Sequence, residues 1–248
     1  MFTLKDKVLI VTGAGSGMGR ELTLQLIRKG VYIAACDINA TTLAETASMV
    51  SVPELIKTYE LDVANPEQVA ALPRTVKQDF GRLHGVINNA GIIQPFVKFA
   101  ELSPKTIDRV MNINFYGVVN LTRAVLQELD PTQETHIVNV SSMGGFLPVP
   151  GQAMYGASKA AVKLFTEALY GEVRGTNIHV SVVFPGAVAT NISANLGNDV
   201  PGKVPAAKEG AQYKTTPADI AAGMIIEGIE KGKLKIFAGS DSRLMDRL

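Results

Sequence analysis

Seven short apolar runs recur along the chain, and segments of helical periodicity fill the intervals between them. The runs are KVLIVTG (7–13), VYIAACD (31–37), IKTYELDV (56–63), LHGVINNAG (83–91), HIVNVSS (136–142), HVSVVFPG (179–186) and LKIFAG (234–239). They are continuous and rich in branched residues rather than alternating. That pattern belongs to strands buried on both faces, as in a parallel sheet with helices on each side. Helices are expected over 19–30, 41–50, 66–80, 104–129 and 153–174, with a last one opened by Thr216-Pro217-Ala218-Asp219. Ser103 with Pro104 is a good cap followed by proline at the first helical position. Pro73, inside 66–80, is expected to kink or split its helix. The fold class is therefore α/β: a seven-stranded, doubly wound parallel sheet in one domain over residues 1–248. The glycine- and proline-bearing stretch at about 187–215 is expected to be a mobile lid over a substrate.

Composition narrows the class of partner. Lys plus Arg number 24 against 23 Asp plus Glu, a net charge of +1, with no basic block. Nucleic acid and anionic membrane are not expected partners. No apolar run reaches the roughly 18 residues of a membrane span, and the N-terminus lacks the order of regions of a signal peptide. Cys36 is the only cysteine and sits in an apolar run, where a small buried hydrophobe is expected rather than a reactive thiol. The absence of an intrachain disulfide fits a cytoplasmic protein. His84, His136 and His179 fall at strand starts, are read as surface or strand-edge residues, and form no ligand cluster, so no metal is expected.

The first run ends in TGAGSGMGRE, residues 12–21. A glycine-rich turn from strand to helix lets a backbone approach a pyrophosphate, and the helix start offers unpaired N–H groups. The G-x-G-x-x-G fingerprint is not met, because its third glycine would fall at Arg20. Gly13, Gly17 and Gly19 instead satisfy G-x-x-x-G-x-G, with Ser16 and Met18 between them. No Gly-Lys-Ser/Thr follows, which excludes a Walker A loop. Asp37 ends the second run, 20 residues after Gly17, where a carboxylate can accept from the adenosine ribose hydroxyls and repel a 2′-phosphate. The ordinary alternative is a strand-end carboxylate bonding its own loop. Asp62 and Val63, at the end of the third run, are placed to bracket an adenine.

Further polar clusters stand at carboxyl ends of runs: NNAG (88–91), NVSS (139–142) and Pro185-Gly186. Together with Tyr155 and Lys159, four apart, they complete a set. The chain resembles the short-chain dehydrogenase/reductases over nearly its full length. The resemblance rests on T12-G-x-x-x-G-x-G, N88-N-A-G91, Asn114 in MNINFYG, Ser142 placed 13 residues before Tyr155, Y155-x-x-x-K159 and PGAVAT at 185–190.

That resemblance implies a Rossmann-type fold and reversible hydride transfer between NAD and a small or medium secondary alcohol or ketone. It makes Tyr155 the general acid–base, assisted by Lys159, which also binds the nicotinamide ribose. Ser142 holds the substrate oxygen, with Ser141 left as a turn serine, and Asn114 holds a water in a proton relay. Asn89, Ala90 and Gly91 shape the nucleotide floor; Pro185, Gly186 and Val188 belong to the cofactor site, and Thr190 meets the carboxamide. The chemistry is physically reasonable. A free phenol titrates near 10, and lowering it by about three units needs roughly 4 kcal/mol. Lys159, one helical turn away, and an oxidised nicotinamide both supply positive charge. Outside this context, Tyr155 reads as an amphipathic core residue and Lys159 as a solvated charge. Gln94, Met143, Gly144 and Gln152 are expected to line the substrate pocket, beside Ile93, Phe96, Gly145, Phe146 and Ala187. The resemblance also implies a homotetramer pairing the helices at 104–129 and 153–174. Three other readings stand beside this one. They are an NADPH-dependent carbonyl reductase, a non-catalytic NAD(H) binder, and a lyase or isomerase using the cofactor transiently.

Overall fold

The computed structural model describes residues 2–189, 215–239 and Ser242. The expected lid therefore lies outside the described residues except at its ends, as does Thr190. Seven parallel strands form one sheet in the order β3-β2-β1-β4-β5-β6-β9. They are β1 (Val8–Thr12), β2 (Tyr32–Asp37), β3 (Ile56–Glu60), β4 (Gly85–Asn88), β5 (Thr135–Val140), β6 (Ile178–Pro185) and β9 (Lys235–Ala238). A separate two-residue pair joins β7 (Val188–Ala189) to β8 (Thr216–Pro217) across the two ends of the expected lid. The strand order turns back between β1 and β4, which opens a crevice at the carboxyl ends of the strands.

Two helical layers cover the sheet because successive strand residues face opposite ways. From β1, Leu9 and Val11 join Leu22 and Leu26 of α1 (Gly17–Arg28) and Ile225 and Ile229 of α7 (Ala218–Glu230). Val8 and Ile10 join Val69 and Val76 of α3 (Pro66–Phe80), Leu121 and Val125 of α5 (Gly117–Glu128) and Leu169 of α6 (Ala153–Glu172). The short α2 (Ala40–Ser48) follows β2, its first turn capped by the Asn39 side chain on the Thr42 N–H. Gly30 closes α1 at φ +78°, a conformation that favours glycine.

Three expectations change. Pro73 does not split α3, which runs unbroken through a buried proline; only one helical hydrogen bond needs a donor there. The helix expected over 104–129 is interrupted: α4 (Pro104–Met111) passes into a π-helical turn at Asn112–Tyr116 before α5 begins. The histidines are not surface residues throughout, since His84 and His136 are buried. His84 Nδ1 accepts from the Val8 N–H at 3.0 Å. The Ser181 hydroxyl donates to the Lys233 carbonyl at 2.6 Å and so accepts from His136 Nε2 at 2.8 Å. Phe2 packs edge-on to His136 and His179, at 5.0 and 5.6 Å. Burial pushes both buried histidines down, His84 to about 4 and His136 to about 3. Among the described residues no His/Cys/Asp/Glu group is arranged for a metal, and no helix is long and apolar enough to cross a membrane. Cys36 is fully buried, and burial raises its thiol pKa far above the ordinary range.

Candidate active site

A cleft of about 1220 Å³ lies along the carboxyl ends of the strands. Its size exceeds the range of about 300–1,000 Å³ usual for small ligands, which suits an extended ligand. Gly13, Ser16, Gly17, Met18, Gly19, Asp37, Asp62, Val63, Asn89, Ala90, Gly91, Tyr155, Lys159, Pro185, Gly186 and Val188 all line it. The sequence-based cofactor residues are thus brought together, apart from Thr190, which is not described. Ile38, Asn39, Thr42, Ala64, Ile92 and Ile93 line it too, as do Lys105, Asp108, Arg109, Asn112 and Ile113 from α4 and the π turn. No sequence motif points to that α4 wall.

At the nucleotide end the glycine turn is cramped. A Cβ on Gly19 would stand 1.9 Å from the Gly13 carbonyl oxygen, and one on Gly13 would stand 2.9 Å from Asn89 Nδ2. Asn89 Nδ2 donates to the Thr12 carbonyl at 2.9 Å, while Thr12 Oγ1 accepts from the Asn89 and Ala90 N–H groups, each at 3.0 Å. Thr12 therefore staples the two loops. Ser16 occupies the N-cap position of α1 without making a side-chain capping bond. The backbone amides at this helix start suit an anionic ligand. These features fit a pyrophosphate.

Asp37 makes the loop bonds of the ordinary alternative and also faces the cleft. Its Oδ2 accepts from the Gly15 N–H at 2.8 Å and its Oδ1 from the Asn39 N–H at 2.9 Å, while the residue lines the cleft. Arg20 is held beneath the turn. It donates to the Gly15 carbonyl at 2.6 and 3.0 Å, to Thr46 Oγ1 at 3.0 Å and to Glu45 Oε2 at 2.9 Å. Asp62 Oδ1 accepts from the Ala64 N–H at 2.9 Å, fixing the turn beside Val63.

At the other end, Ser142, Tyr155 and Lys159 meet. Ser142 and Tyr155 lie side by side against Gly144, where a Cβ would stand 3.2 Å from Tyr155 Cε1 and 3.5 Å from Ser142 Oγ, and Ser142 Oγ accepts from the Gly144 N–H at 3.0 Å. Lys159 is buried, and its Nζ donates to the Val140 carbonyl at 2.9 Å. Burial lowers the ammonium to about 8. Burial raises the Tyr155 phenol, and the Ser142 hydroxyl beside it pulls it partly back. The protein's own groups therefore do not supply the low phenol pKa expected from sequence. Ser141 Oγ donates to the Lys159 carbonyl at 2.7 Å and so ties the end of β5 to α6.

Asn114 is buried in the π turn rather than lining the cleft. Its Oδ1 accepts from the Ile92 N–H at 2.9 Å; its Nδ2 donates to the Ile92 carbonyl at 2.9 Å and to Ser158 Oγ at 3.1 Å. A Cβ on Gly91 would lie 3.2 Å from both Asn114 Oδ1 and Lys159 Nζ, which places these two groups around one glycine. Ser158, which no motif marks, donates to the Tyr155 carbonyl at 2.7 Å. Below the site, Asn88 Nδ2 donates to Asn139 Oδ1 at 2.8 Å, and Asn139 Nδ2 donates to Thr166 Oγ1 at 3.0 Å.

The expected pocket wall needs correction. Gln94, Met143, Gly144 and Gln152 do not line the cleft. Gln94 and Gln152 are buried: both ends of the Gln94 amide are bonded to the 151–155 backbone, and Gln152 Nε2 donates to the Gln94 carbonyl while its Oε1 has no partner among the described residues. Gly144 lies against the Tyr155 ring, where a Cβ would stand 3.2 Å from Cε1, and Met143 begins the short turn after Ser142. Ile93 and Ala187 do line the cleft.

A seven-stranded parallel sheet with its cleft at the switch point and a glycine turn at its nucleotide end defines a Rossmann-type nucleotide-binding protein. The short chain dehydrogenase family profile matches residues 7–201, and the chain belongs to this family of oxidoreductases. A putative oxidoreductase SadH of Mycobacterium tuberculosis is 36% identical over 100% of this chain and 91% of its own length. A short chain dehydrogenase/reductase from Burkholderia phymatum, solved in complex with NAD, superposes with a TM-score of 0.91 at 28% identity, covering 100% of this chain and 94% of that one. A short-chain dehydrogenase from Sphingobium yanoikuyae in complex with NADPH shares the fold, with a TM-score of 0.81 at 24% identity over 97% of this chain and 91% of that one.

Proposed function

We propose that the protein interconverts a secondary alcohol and a ketone with NAD(H), using Tyr155 as general acid–base. The observation that carries this reading is the meeting of the Ser142 hydroxyl, the Tyr155 phenol and the buried Lys159 ammonium at one end of a dinucleotide-sized cleft. When bound, the nicotinamide would supply or accept the hydride. Gly13 to Gly19 and the start of α1 would hold its pyrophosphate, Asp37 the adenosine ribose, and Asn89 to Gly91 the floor.

The chain's own part is to hold and move a proton. In the reducing direction, Ser142 orients the substrate oxygen by hydrogen bonding, and Tyr155 Oη delivers the proton to it. In the oxidising direction, the same phenolate oxygen takes the alcohol proton. Lys159, held by the Val140 carbonyl, stabilises that phenolate by its charge. Asn114, bonded to Ile92 and Ser158 and lying with Lys159 Nζ around Gly91, is the residue we assign to hold a relay water.

Asp37 supports NAD over NADP, because a 2′-phosphate would meet its carboxylate. Arg20 supports it as well, being bonded to the Gly15 carbonyl and Glu45 beneath the turn. We read the protein as cytoplasmic and as a homotetramer formed through α4–α5 and α6. Exposed Tyr116 at the start of α5 and exposed Leu164 and Tyr170 on α6 are consistent with that assembly. The test is NADH formation from NAD⁺ across a panel of secondary alcohols, with NADP⁺ in parallel and Tyr155→Phe as the control. Turnover preferring NAD⁺ and lost in the variant is expected. Turnover that survives Tyr155→Phe would overturn the chemistry, and a preference for NADP⁺ would overturn the reading of Asp37.

A further inference from the structure

The start of α6 lacks the side chain that usually caps a helix. Gln152 occupies the N-cap position but makes no capping bond, so the N–H groups of the second and third helical residues, Met154 and Tyr155, need another acceptor. They share one that comes from far away in sequence. Gln94 Oε1 accepts from the Met154 N–H at 2.8 Å and from the Tyr155 N–H at 3.0 Å. Gln94 Nε2 donates to the Gly151 carbonyl at 2.9 Å, and Gln152 Nε2 donates back to the Gln94 carbonyl at 2.8 Å. Gln94 is fully buried, with 0% of its surface exposed.

The same loop grips Tyr155 from its other side. Asn114 is bonded to both the N–H and the carbonyl of Ile92 and donates to Ser158 Oγ, which donates to the Tyr155 carbonyl at 2.7 Å. Residues 92–94 thus fix the peptide groups on both sides of Tyr155. They continue directly from Asn89–Gly91, the floor of the cleft. Through this clamp the position of the floor sets the position of the phenol.

We propose that Gln94 is a positioning residue for the proton transfer, a neutral cap supplied by a distant loop of the same chain that fixes Tyr155 beside Ser142 and the cleft floor. This deepens the acid–base reading of Tyr155 and rests on it. Neutrality is part of the role. An Asp or Glu acceptor would satisfy the same N–H groups but would bring a negative charge towards the phenol and oppose its ionisation. Lys159 on the same helix and the Ser142 hydroxyl at the end of β5 are the groups whose influence on the phenol an added carboxylate would counter.

The test uses the full chain with ring-carbon-labelled tyrosine, saturated with NAD⁺. NMR follows the Tyr155 signal, which is assigned by its loss in Tyr155→Phe. Gln94→Met removes the cap while roughly keeping side-chain length. It is expected to displace the Tyr155 signal and raise its titration midpoint by about half a pH unit or more as the phenol shifts from its place beside Ser142 and Lys159. Gln94→Asn keeps a neutral amide but shortens its reach by one methylene, and is expected to displace the signal and raise the midpoint in the same direction by less. It decides the matter if Gln94→Met does not fold.

A folded variant of either kind whose Tyr155 signal and midpoint match the wild type would overturn the inference, even with a lowered Tm. A merely structural brace would lower Tm and leave both unmoved. Failure of the acid–base reading appears elsewhere, in the wild type itself, as a Tyr155 midpoint that stays above that of a free phenol, about 10, with NAD⁺ bound. The displacement of the signal in the Gln94 variants would still decide the positioning role.

Discussion

β5 begins in one chemical environment and ends in another. At its amino end, Thr135 and His136 are buried, with His136 held neutral between Ser181 and Phe2. At its carboxyl end, Val140 holds the Lys159 ammonium and Ser142 follows, beside the Tyr155 ring. Both ends bury polar groups, yet only one directs them into a cleft. The amino end turns its polar groups into the packed interior and leaves Thr135 Oγ1 and His136 Nδ1 without a hydrogen-bond partner among the described residues. The carboxyl end keeps hydroxyls and an ammonium in a wall of the cleft. In a parallel sheet the crevice opens at the carboxyl ends, and this chain places its reactive groups accordingly.

That contrast can be broken at either end, and the largest effect belongs to the cleft. Tyr155→Phe is expected to lower turnover by about 10²–10⁴-fold, the usual worth of a positioned proton-transfer group, with NADH affinity little changed. Steady-state kinetics beside a fluorescence titration of NADH separates the two. Asp37→Ser is expected to change the ratio of NAD⁺ to NADP⁺ efficiency by at least about tenfold towards NADP⁺, roughly 1.4 kcal/mol. Parallel kinetics with both cofactors measures it.

The amino end responds to acid. The folded pKa values of about 4 for His84 and about 3 for His136 lie below the unfolded value of about 6.5. Below pH 6.5 the unfolded chain therefore binds protons that the folded chain refuses. Stability is complete above that pH and falls as pH drops towards 4 and then 3, by up to about 1.4 kcal/mol per pH unit for each histidine. Denaturant melts from pH 7 to 4 in the wild type and in His136→Leu are expected to show a slope shallower by about one proton in the variant. The smallest effect is expected at Glu45→Gln. Its pair with Arg20 is 2.9 Å long but has a 54% exposed carboxylate, so the loss is about 0.2–1 kcal/mol, read as a small drop in Tm.

The sheet was legible in sequence because its strands are fully buried and therefore unbroken in apolar character; β1 is buried at all five positions. The nucleotide end was legible for a related reason. Glycines and a strand-end carboxylate occupy a short local stretch, and the constraint on Gly19 arises within six residues, at the Gly13 carbonyl. Gln94 and Gln152 were misplaced because an amide's partner can lie anywhere in the chain. Gln94 bonds residues 57 to 61 positions away, and no local pattern records such a contact. Ser158 was passed over for the same reason: one of its partners is next door, while the other comes from another helix. His136 looks like an ordinary strand residue until Phe2 and Ser181 are brought onto it, and His84 until its Nδ1 meets the Val8 N–H.

The π turn at Asn112–Tyr116 has a consequence for the length of the chain. An α-helix advances by about 100° per residue, so one additional residue in a turn rotates everything beyond it by that angle. α4 directs Lys105, Asp108 and Arg109 to the cleft, while α5 directs Leu121 and Val125 to the core. Deleting a single residue from the wide turn would throw these two faces out of phase and carry core leucine and valine towards solvent. The helix is therefore a rod with two separately indexed faces. Its tolerance of substitution along the exposed side does not extend to insertion or deletion at the joint.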